Sequence, residues 1–145
     1  MTADDRREQP GQRGSITELS EQECYELLPT TTVGRVAFVN HDGQQLLPLN
    51  FTVVDRVIYF RTAPDSILAE LAAGLPDVAF EVDYHAPTAR DGWNVTVTGT
   101  TSTVDDETAA KISTDAKLIP WAAGERMLVI QLTVRTIKGR RVSSH

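Results

Sequence analysis

One cysteine and three histidines are the side chains best suited to nucleophilic or acid–base chemistry in this chain, and none has an evident partner in the sequence. Cys24 falls at an apolar position of a predicted helix with no conspicuous base nearby, so we interpret it as a small core residue. The histidines fall in a predicted turn, in a predicted loop and at the C-terminus: His41, His85 and His145. No spacing of Cys, His, Asp and Glu resembles a metal site, so we predict no metal.

Composition and missing motifs exclude several classes of function. The chain has no GxGxxG motif, no phosphate-binding P-loop and no GxSxG elbow. Its 145 residues carry 14 Lys and Arg against 20 Asp and Glu, a formal net charge of -6, which argues against nucleic acid or an anionic membrane as partner. Apolar runs fall far short of the roughly 20 residues of a membrane span, and the first residues lack a signal-peptide stretch. We therefore expect a cytoplasmic protein with a small-molecule substrate.

Turn residues divide the chain into a helical start and a series of strands. Residues 1–16 are polar and broken by proline and glycine, so we predict a disordered tail followed by a single domain over residues 17–145. Ser20 and Glu23 have the spacing of a capping box at the start of a short helix. The predicted strands cover Val33–Asn40, Gln44–Val54, Val57–Thr62, Val78–Tyr84, Trp93–Val104, Leu128–Val134 and Thr136–Val142.

Two further helices are predicted between these strands. Apolar residues at helical spacing follow Ser66, and Gly74 ends that helix, whereas acidic residues from Asp105 onward open the other. Pro48 interrupts the second strand and predicts an edge or a bulge, and Gly99 predicts a bulge in the long strand. Six or seven strands with three short helices indicate a mainly β fold, an antiparallel barrel with helices at its openings.

Six short blocks of sequence occur in an order and spacing typical of one protein family. The blocks are Val33–Phe38, Leu47–Phe51, Ile58–Ala63, Gly92–Val95 with Gly99, Pro120–Ala122 and Gly139–Arg141. In these blocks the chain resembles the pyridoxamine 5'-phosphate oxidase-like split-barrel flavoproteins, particularly the small actinobacterial members, from about Leu19 to Val142. The resemblance implies a homodimer of six-stranded antiparallel split barrels, with FMN, or in some branches a deazaflavin, bound at the subunit interface.

The resemblance also implies which residues bind the cofactor. In the family, the flavin phosphate lies between the end of the third strand and the start of the following helix, positions held here by Arg61, Thr62 and Ser66. An arginine, hydroxyl groups and the N–H groups of a helix start are favourable partners for a phosphate. The ring-binding strand corresponds to Leu47, Pro48, Leu49 and Asn50. The further cofactor-binding candidates, which the partner subunit would contribute, are Trp93, Trp121 and Arg140.

One position departs from the family pattern. Many relatives have a Lys or Arg directly after the residue that opens this helix, where this chain has Ile67. Loss of one charge-assisted contact removes roughly 1.5–3 kcal/mol of binding free energy, or about one to two decades in affinity. Weakly bound FMN, a different cofactor and no cofactor therefore all stay open.

The favoured function is that of a flavin-dependent oxidoreductase, pyridoxamine 5'-phosphate oxidase-like, with unassigned substrate and catalytic residues. The flavin carries hydride or electrons while the protein positions it. A true pyridoxamine phosphate oxidase is not expected, because no second basic cluster for a substrate phosphate is evident. The alternative is a non-catalytic split-barrel protein that binds a flavin, a deazaflavin, haem or another tetrapyrrole. Arg35, Glu81 and Asp83 are interpreted as structural or solvent-facing strand residues.

Overall fold

The chain folds into seven antiparallel strands and a few short helices, which a computed structural model describes over residues 14–113 and 128–143. Helix α1 covers Glu21–Leu27, helix α2 covers Asp106–Ser113, and two 3-10 helices cover Leu28–Thr30 and Ile67–Ala73. The strands are β1 (Ser15–Leu19), β2 (Val33–Asn40), β3 (Gly43–Val54), β4 (Val57–Thr62), β5 (Val78–His85), β6 (Gly92–Thr103) and β7 (Leu128–Ser143). The predicted mainly β fold is confirmed.

Six of the strands close into a barrel. The order is β7, β4, β3, β2, β5 and β6, and β6 pairs back onto β7. Strand β7 pairs with both β4 and β6 because it is 16 residues long. Its first residues pair with β4, and residues Ile130 to Val142 pair with β6. Closure removes most exposed sheet edges. The predicted split barrel of six antiparallel strands is therefore confirmed, with β1 added outside the closed ring.

Strand β1 is an element that sequence patterning missed. It covers Ser15–Leu19 and pairs with the end of β7, so order begins two residues before the predicted domain boundary at residue 17. Four of its five side chains are exposed, so apolar alternation does not mark it as a strand. Its backbone bonds come from β7, a partner more than a hundred residues away in sequence. Residues 1–13 of the predicted tail lie outside the described residues.

A bulge at Gly99 allows β6 to follow β7 around the barrel. The pairing register shifts by one residue between Thr98 and Gly99, as the sequence predicts. A Cβ at Gly99 would fall on the carbonyl oxygen of Thr133, so the close approach of the two strands requires glycine. The two C-terminal extended pieces predicted from sequence are one strand, β7, because β6 pairs with it on both sides of this bulge.

Inward-facing aromatic and aliphatic side chains fill the barrel. Phe51 and Phe80 meet edge to face with ring centroids 5.1 Å apart. Helix α1 packs against the core through the fully buried Cys24, and burial raises the pKa of that thiol, in agreement with its interpretation as a core residue. The predicted capping box is present: the Ser20 hydroxyl accepts from the Glu23 N–H at 3.1 Å, and the Glu23 carboxylate accepts from the Ser20 N–H at 2.8 Å.

Helix α2 covers part of the outer surface of the barrel. Ile112 packs with Tyr59 of β4 and Val129 of β7, while Ala109 lies at the edge of the same cluster. This contact explains why the outward-facing side chain of Tyr59 is buried. Within residues 14–113 and 128–143, no helix is long and apolar enough to cross a membrane.

We expect Gly99→Ala to destabilise the fold by about 1–3 kcal/mol, because the added methyl group must displace the Thr133 backbone. Gly14→Ala is the matched control: its nearest neighbour, the Ser143 carbonyl oxygen, lies at 3.4 Å from the added carbon, an ordinary contact. Urea unfolding of the two variants and the wild type measures the difference. Equal midpoints for Gly99→Ala and the wild type would contradict the bulge geometry.

Candidate functional site

The barrel is open along one side of β3. Strand β3 pairs with β2 from Gly43 to Asn50, but it pairs with β4 only from Phe51 to Val54. Among the described strands, none lies on the second side of residues 44–50. The N–H of Phe51 donates to the carbonyl of Thr32, next to β2, at 3.0 Å. The backbone groups of Phe51 therefore point toward β2. Because these groups point to alternate sides along a strand, those of residues 46, 48 and 50 point toward the open side.

Pro48 lies in the middle of this open edge. A proline has no N–H to donate, so position 48 presents a carbonyl acceptor alone, while Leu46 and Asn50 on either side each present a donor and an acceptor. The ladder with β2 is undisturbed because the missing N–H would have pointed away from it. The prediction that Pro48 occupies a strand edge is therefore confirmed. Such an edge offers backbone hydrogen-bonding groups to another strand or to a ligand.

The side chains of the predicted ring-binding strand point in two directions. Leu49 is 7% exposed and belongs to the barrel core, and Leu47 packs against that core. Pro48 and Asn50 alternate with them and lie on the outer face of the sheet. The two leucines thus hold the strand in place, while the open edge itself offers backbone groups.

Three predicted phosphate-binding residues lie together at the end of β4. The hydroxyl groups of Thr62 and Ser66 are joined by a hydrogen bond, and Thr62 is buried. Arg61 precedes them on the outer face of β4 and is partly buried, including its Nε atom. Asn50 is level with Arg61, one position beyond the last pair of β3 and β4. Arg61 and Thr62 are consecutive on β4, with the Arg61 side chain on the outer face and the buried Thr62 side chain on the inner face, at the level where the open edge of β3 begins.

The helix predicted after Ser66 is a 3-10 helix rather than an α-helix. Ser66 has the extended backbone of an N-cap, but its hydroxyl bonds to Thr62 and does not cap the helix. Gly74 ends the element with a left-handed φ of 88°, as predicted. A 3-10 helix has weaker hydrogen-bond geometry than an α-helix. A phosphate at this position would therefore depend on side chains more than on a helix dipole.

Ile67 follows Ser66 and packs against the barrel core. It is partly buried beside Leu68, which packs against the same core. The position where the family resemblance implies a cation therefore contributes to apolar packing in this chain. Arg61 is left as the cation that adjoins the Thr62–Ser66 hydroxyl pair within the described part of β4 and the 3-10 helix.

Thr101 fixes the far end of this 3-10 helix to β6. Its side chain is fully buried; the hydroxyl donates to the Leu71 carbonyl at 2.8 Å and accepts from the Leu75 N–H at 3.3 Å. The Thr101 N–H donates to the Leu75 carbonyl at 3.0 Å. Sequence analysis missed this residue because a threonine in a strand is common on either face, and no local signal marks the helix end as its partner.

Two further candidates, Trp93 and Arg140, are not assembled with this cluster. Trp93 is 9% exposed and stacks on Tyr84 with ring centroids 6.5 Å apart, so it packs in the core. Arg140 is exposed on β7, eleven residues beyond Val129, the partner of Arg61 in the sheet. That separation is roughly 35 Å along a strand. Trp121 lies outside the described residues.

The charged residues on the outer face of β2 and β5 form ion pairs with one another. One Arg35 nitrogen lies 3.1 Å from a carboxylate oxygen of Glu81 and 3.1 Å from one of Asp83. Burial raises the pKa of Glu81, and Asp83 raises it further against the opposing effect of Arg35. This agrees with the structural interpretation of all three. Across the described ranges, no group of three or more His, Cys, Asp and Glu side chains is arranged to hold a metal ion.

The architecture and the matched sequence identify a family. The model of the pyridoxamine 5'-phosphate oxidase family matches residues 20–141, nearly the whole described chain. The protein belongs to this family. Membership agrees with the split barrel and with the position of the open strand edge beside the end of β4.

Individual relatives extend the comparison. A solved structure named as the FAD binding protein of Mycobacterium smegmatis is 33% identical, with a TM-score of 0.72 over 86% of this chain and 98% of that chain. A conserved protein of unknown function from Corynebacterium diphtheriae is 29% identical, with a TM-score of 0.71 over 90% of this chain and 98% of that one. The uncharacterized protein Rv0080 of Mycobacterium tuberculosis is 29% identical over 98% of this chain and 95% of its own length.

We expect Thr101→Val to lower the free energy of unfolding by about 1–3 kcal/mol, because it leaves the Leu71 carbonyl and the Leu75 N–H without their hydroxyl partner. Thr101→Ser keeps the hydroxyl and loses only a methyl group, so it should be closer to the wild type. Chemical denaturation followed by tryptophan fluorescence gives both values. A Thr101→Val protein that is more stable than Thr101→Ser would contradict this role.

Proposed function

We propose that this protein binds a flavin nucleotide beside the open edge of β3 and uses it for hydride or electron transfer. The main supporting observation is that two features lie near each other at the end of β4. One is the open edge of β3 with its backbone groups, and the other is the group Arg61, Thr62 and Ser66. A flavin nucleotide is also two-part, with a flat polar-edged ring and a phosphate. The relative named as an FAD binding protein supports the same class of ligand.

The residues present fit FMN, or FAD through its first phosphate. The Arg61 guanidinium provides charge and the Thr62 and Ser66 hydroxyls provide donors for phosphate oxygens. The backbone of Leu46, Pro48 and Asn50 faces the side on which the ring would lie, with an acceptor alone at Pro48. These roles follow the assignment expected from the sequence, with Leu47 and Leu49 supporting the strand from the core side.

A bound flavin supplies the hydride or electron chemistry. The chain's part is to position the ring against the rigid β2–β3 ladder, hold the phosphate and exclude water from one face. Cys24 takes no part, because it is fully buried on the core side of α1. The described residues thus provide binding and orientation, which is what catalysis by a bound flavin asks of a protein.

A second copy of the chain would complete this site. The outer face of β2 and β3 exposes large apolar side chains: Leu46 is 69% exposed, Val39 65% and Val33 48%. Leu46 and Val39 border a groove of about 580 Å³ whose lining also includes the small residues Ala37 and Ala79. Exposed apolar patches of this kind mark association surfaces. In a homodimer built on this face, the partner subunit's Arg140 is the expected second cation, since one chain cannot bring its own Arg140 to Arg61.

Ile67 favours a second candidate function, flavin binding without catalytic turnover. Its packing in the core leaves the cluster with one cation fewer than many relatives have, and a weakly held flavin suits a carrier or sensor better than an enzyme. Bleaching of the bound flavin by NADPH or NADH, followed by its reoxidation, would favour the oxidoreductase. Binding without any reduction by either donor would favour the second candidate.

We expect Arg61→Ala to weaken FMN binding by about one to two decades, because it removes a charge-assisted contact to the phosphate. Riboflavin lacks the phosphate, so its affinity should be equal in both proteins. Fluorescence titration with FMN, FAD and riboflavin gives these values. Arg56→Ala is the matched control, since Arg56 lies in the turn at the opposite end of β4, where it pairs with Glu21 at 3.5 Å.

Two results would count against the flavin proposal. Wild-type protein that binds neither FMN nor FAD at millimolar concentration removes it altogether. Wild-type affinity for FMN in the Arg61→Ala variant, with an unchanged melting temperature, means that the phosphate does not lie beside Arg61.

We expect a dimer in solution at micromolar concentration and its conversion to a monomer by Leu46→Glu. A charge at an exposed apolar position opposes association, but it should not unfold the chain because Leu46 is 69% exposed. Val54→Glu is the control on the same side of β3, eight residues away and outside the groove. Light scattering with sedimentation analysis distinguishes the states. A wild-type monomer, or a dimer that Leu46→Glu leaves intact, would refute this interface.

A further inference from the structure

Three side chains meet where the turn between β2 and β3 approaches the 3-10 helix. The Asn40 amide nitrogen donates to both carboxylate oxygens of Glu70, at 3.3 and 3.2 Å. The Asn40 amide oxygen accepts from the side-chain nitrogen of Gln45 at 3.3 Å and from the Asp42 N–H at 2.9 Å. Every one of these residues except Asp42 is at least partly buried. We call the group Asn40, Gln45 and Glu70 the amide junction.

The amide junction joins the two parts of the proposed flavin site at the end farthest from Arg61. Strands β3 and β4 separate after the pair Phe51–Phe60, and the open edge of β3 then runs back to the β2–β3 turn. The 3-10 helix begins beside Thr62 and reaches the same turn through Glu70. Thus one end of the open edge lies near the start of the 3-10 helix at β4, and its other end is joined to Glu70 of the helix through Asn40.

The amide junction adds a polar contact between the 3-10 helix and the start of β3 to the apolar packing of Ile67 on the core that contains Leu49. The 3-10 helix is held at its start by the Thr62–Ser66 hydrogen bond and at its end by Thr101 of β6. Neither contact involves the first half of β3. A hydrogen bond weakens steeply with distance and angle, so the three that join the Asn40 amide to Glu70 and Gln45 restrict the position of Glu70 relative to both residues.

We propose that Asn40, Gln45 and Glu70 are positioning residues that set the spacing between the open edge of β3 and the phosphate-binding end of the 3-10 helix. This inference rests on the proposed flavin site. A ligand that bridges the ring-binding edge and the Thr62–Ser66 pair gains both sets of contacts only at one spacing, so the junction controls affinity without touching the ligand. Glu70 and Asn40 are therefore determinants of flavin binding outside the contact surface.

The test is a charge-balanced swap. Asn40→Asp places two carboxylates against each other, and Glu70→Gln removes the charge of the acceptor. The double variant Asn40→Asp with Glu70→Gln restores an amide–carboxylate pair of reversed direction at the wild-type net charge. Asp42→Asn is the control, because it makes the same charge change as Glu70→Gln in the adjacent turn, where its side chain faces His41 at 3.3 Å.

Two readouts separate the junction from the flavin itself. Amide hydrogen exchange of residues 67–73, measured on the protein without added flavin, should be about tenfold faster in Asn40→Asp and near the wild type in the double variant. The dissociation constant for FMN should rise by about tenfold in Asn40→Asp and return to within about threefold in the double variant. Asp42→Asn should change neither quantity. Glu70→Ala, which removes the acceptor without repulsion, should act in the same direction as Asn40→Asp.

The outcomes are distinct for the two proposals. Unchanged exchange in Asn40→Asp and Glu70→Ala overturns the junction as a structural clamp, whatever the flavin result. Faster exchange with unchanged FMN affinity overturns its positioning role. Wild-type protein that binds no flavin overturns the proposed function and the positioning role together, while rescue of exchange in the double variant still establishes the contact. Rescue of both quantities supports the proposal as stated.

Discussion

The divergence of β3 from β4 after a short ladder is the constraint on which the rest of this structure depends. The two strands pair from a tight turn as far as Phe51 and Phe60, and then β4 ends while β3 continues beside β2. The turn residues Asp55 and Arg56 have φ values of 51° and 64°, the left-handed geometry of a two-residue hairpin. From that fixed start, the length of β4 decides where the edge of β3 becomes open.

An open strand edge can pair with another chain, and the sequence of β3 reduces that tendency. Pro48 removes one donor from the edge, which weakens its tendency to pair with another strand. The 3-10 helix packs on the barrel beside β6 and β7, with Leu71 buried and Ile67 packed on the same core. Ile67 thus contributes apolar packing at the position where the family resemblance implies a cation.

The proposed site follows from the same geometry. Hydroxyl groups gather where β4 ends, a guanidinium group lies on the outer face beside them, and the edge of β3 starts one residue away. Hydroxyl and guanidinium groups are suited to hold an anionic group by hydrogen bonds, so the proposed arrangement is one for binding and orientation. The apolar outer face of β2 and β3 adjoins it, which is why association of two chains and formation of a complete site are coupled in the proposal.

Local patterns in the sequence were sufficient for most strands and for the capping box. The bounds of β2 and β4 match the prediction, and the Gly99 bulge and the Gly74 helix end were marked by glycine. These features depend on neighbouring residues, so alternation and turn chemistry reveal them. Strand β1 carried no such pattern, because its partner is at the other end of the chain and its side chains are exposed.

The residues of the candidate site also fall into those that the sequence predicted and those that only the fold brought together. Sequence resemblance named Arg61, Thr62 and Ser66, and the fold places them together because they are close in the chain. It also named Trp93 and Arg140, which one chain keeps apart from that cluster, since their positions depend on how β6 and β7 wind around the barrel. No local pattern in the sequence predicted Thr101 or the amide junction, for the same reason as β1. Thr101 and Leu71, like Asn40 and Glu70, are distant in sequence. Composition and local order therefore determined the elements, while long-range pairing alone decided which side chains share a surface.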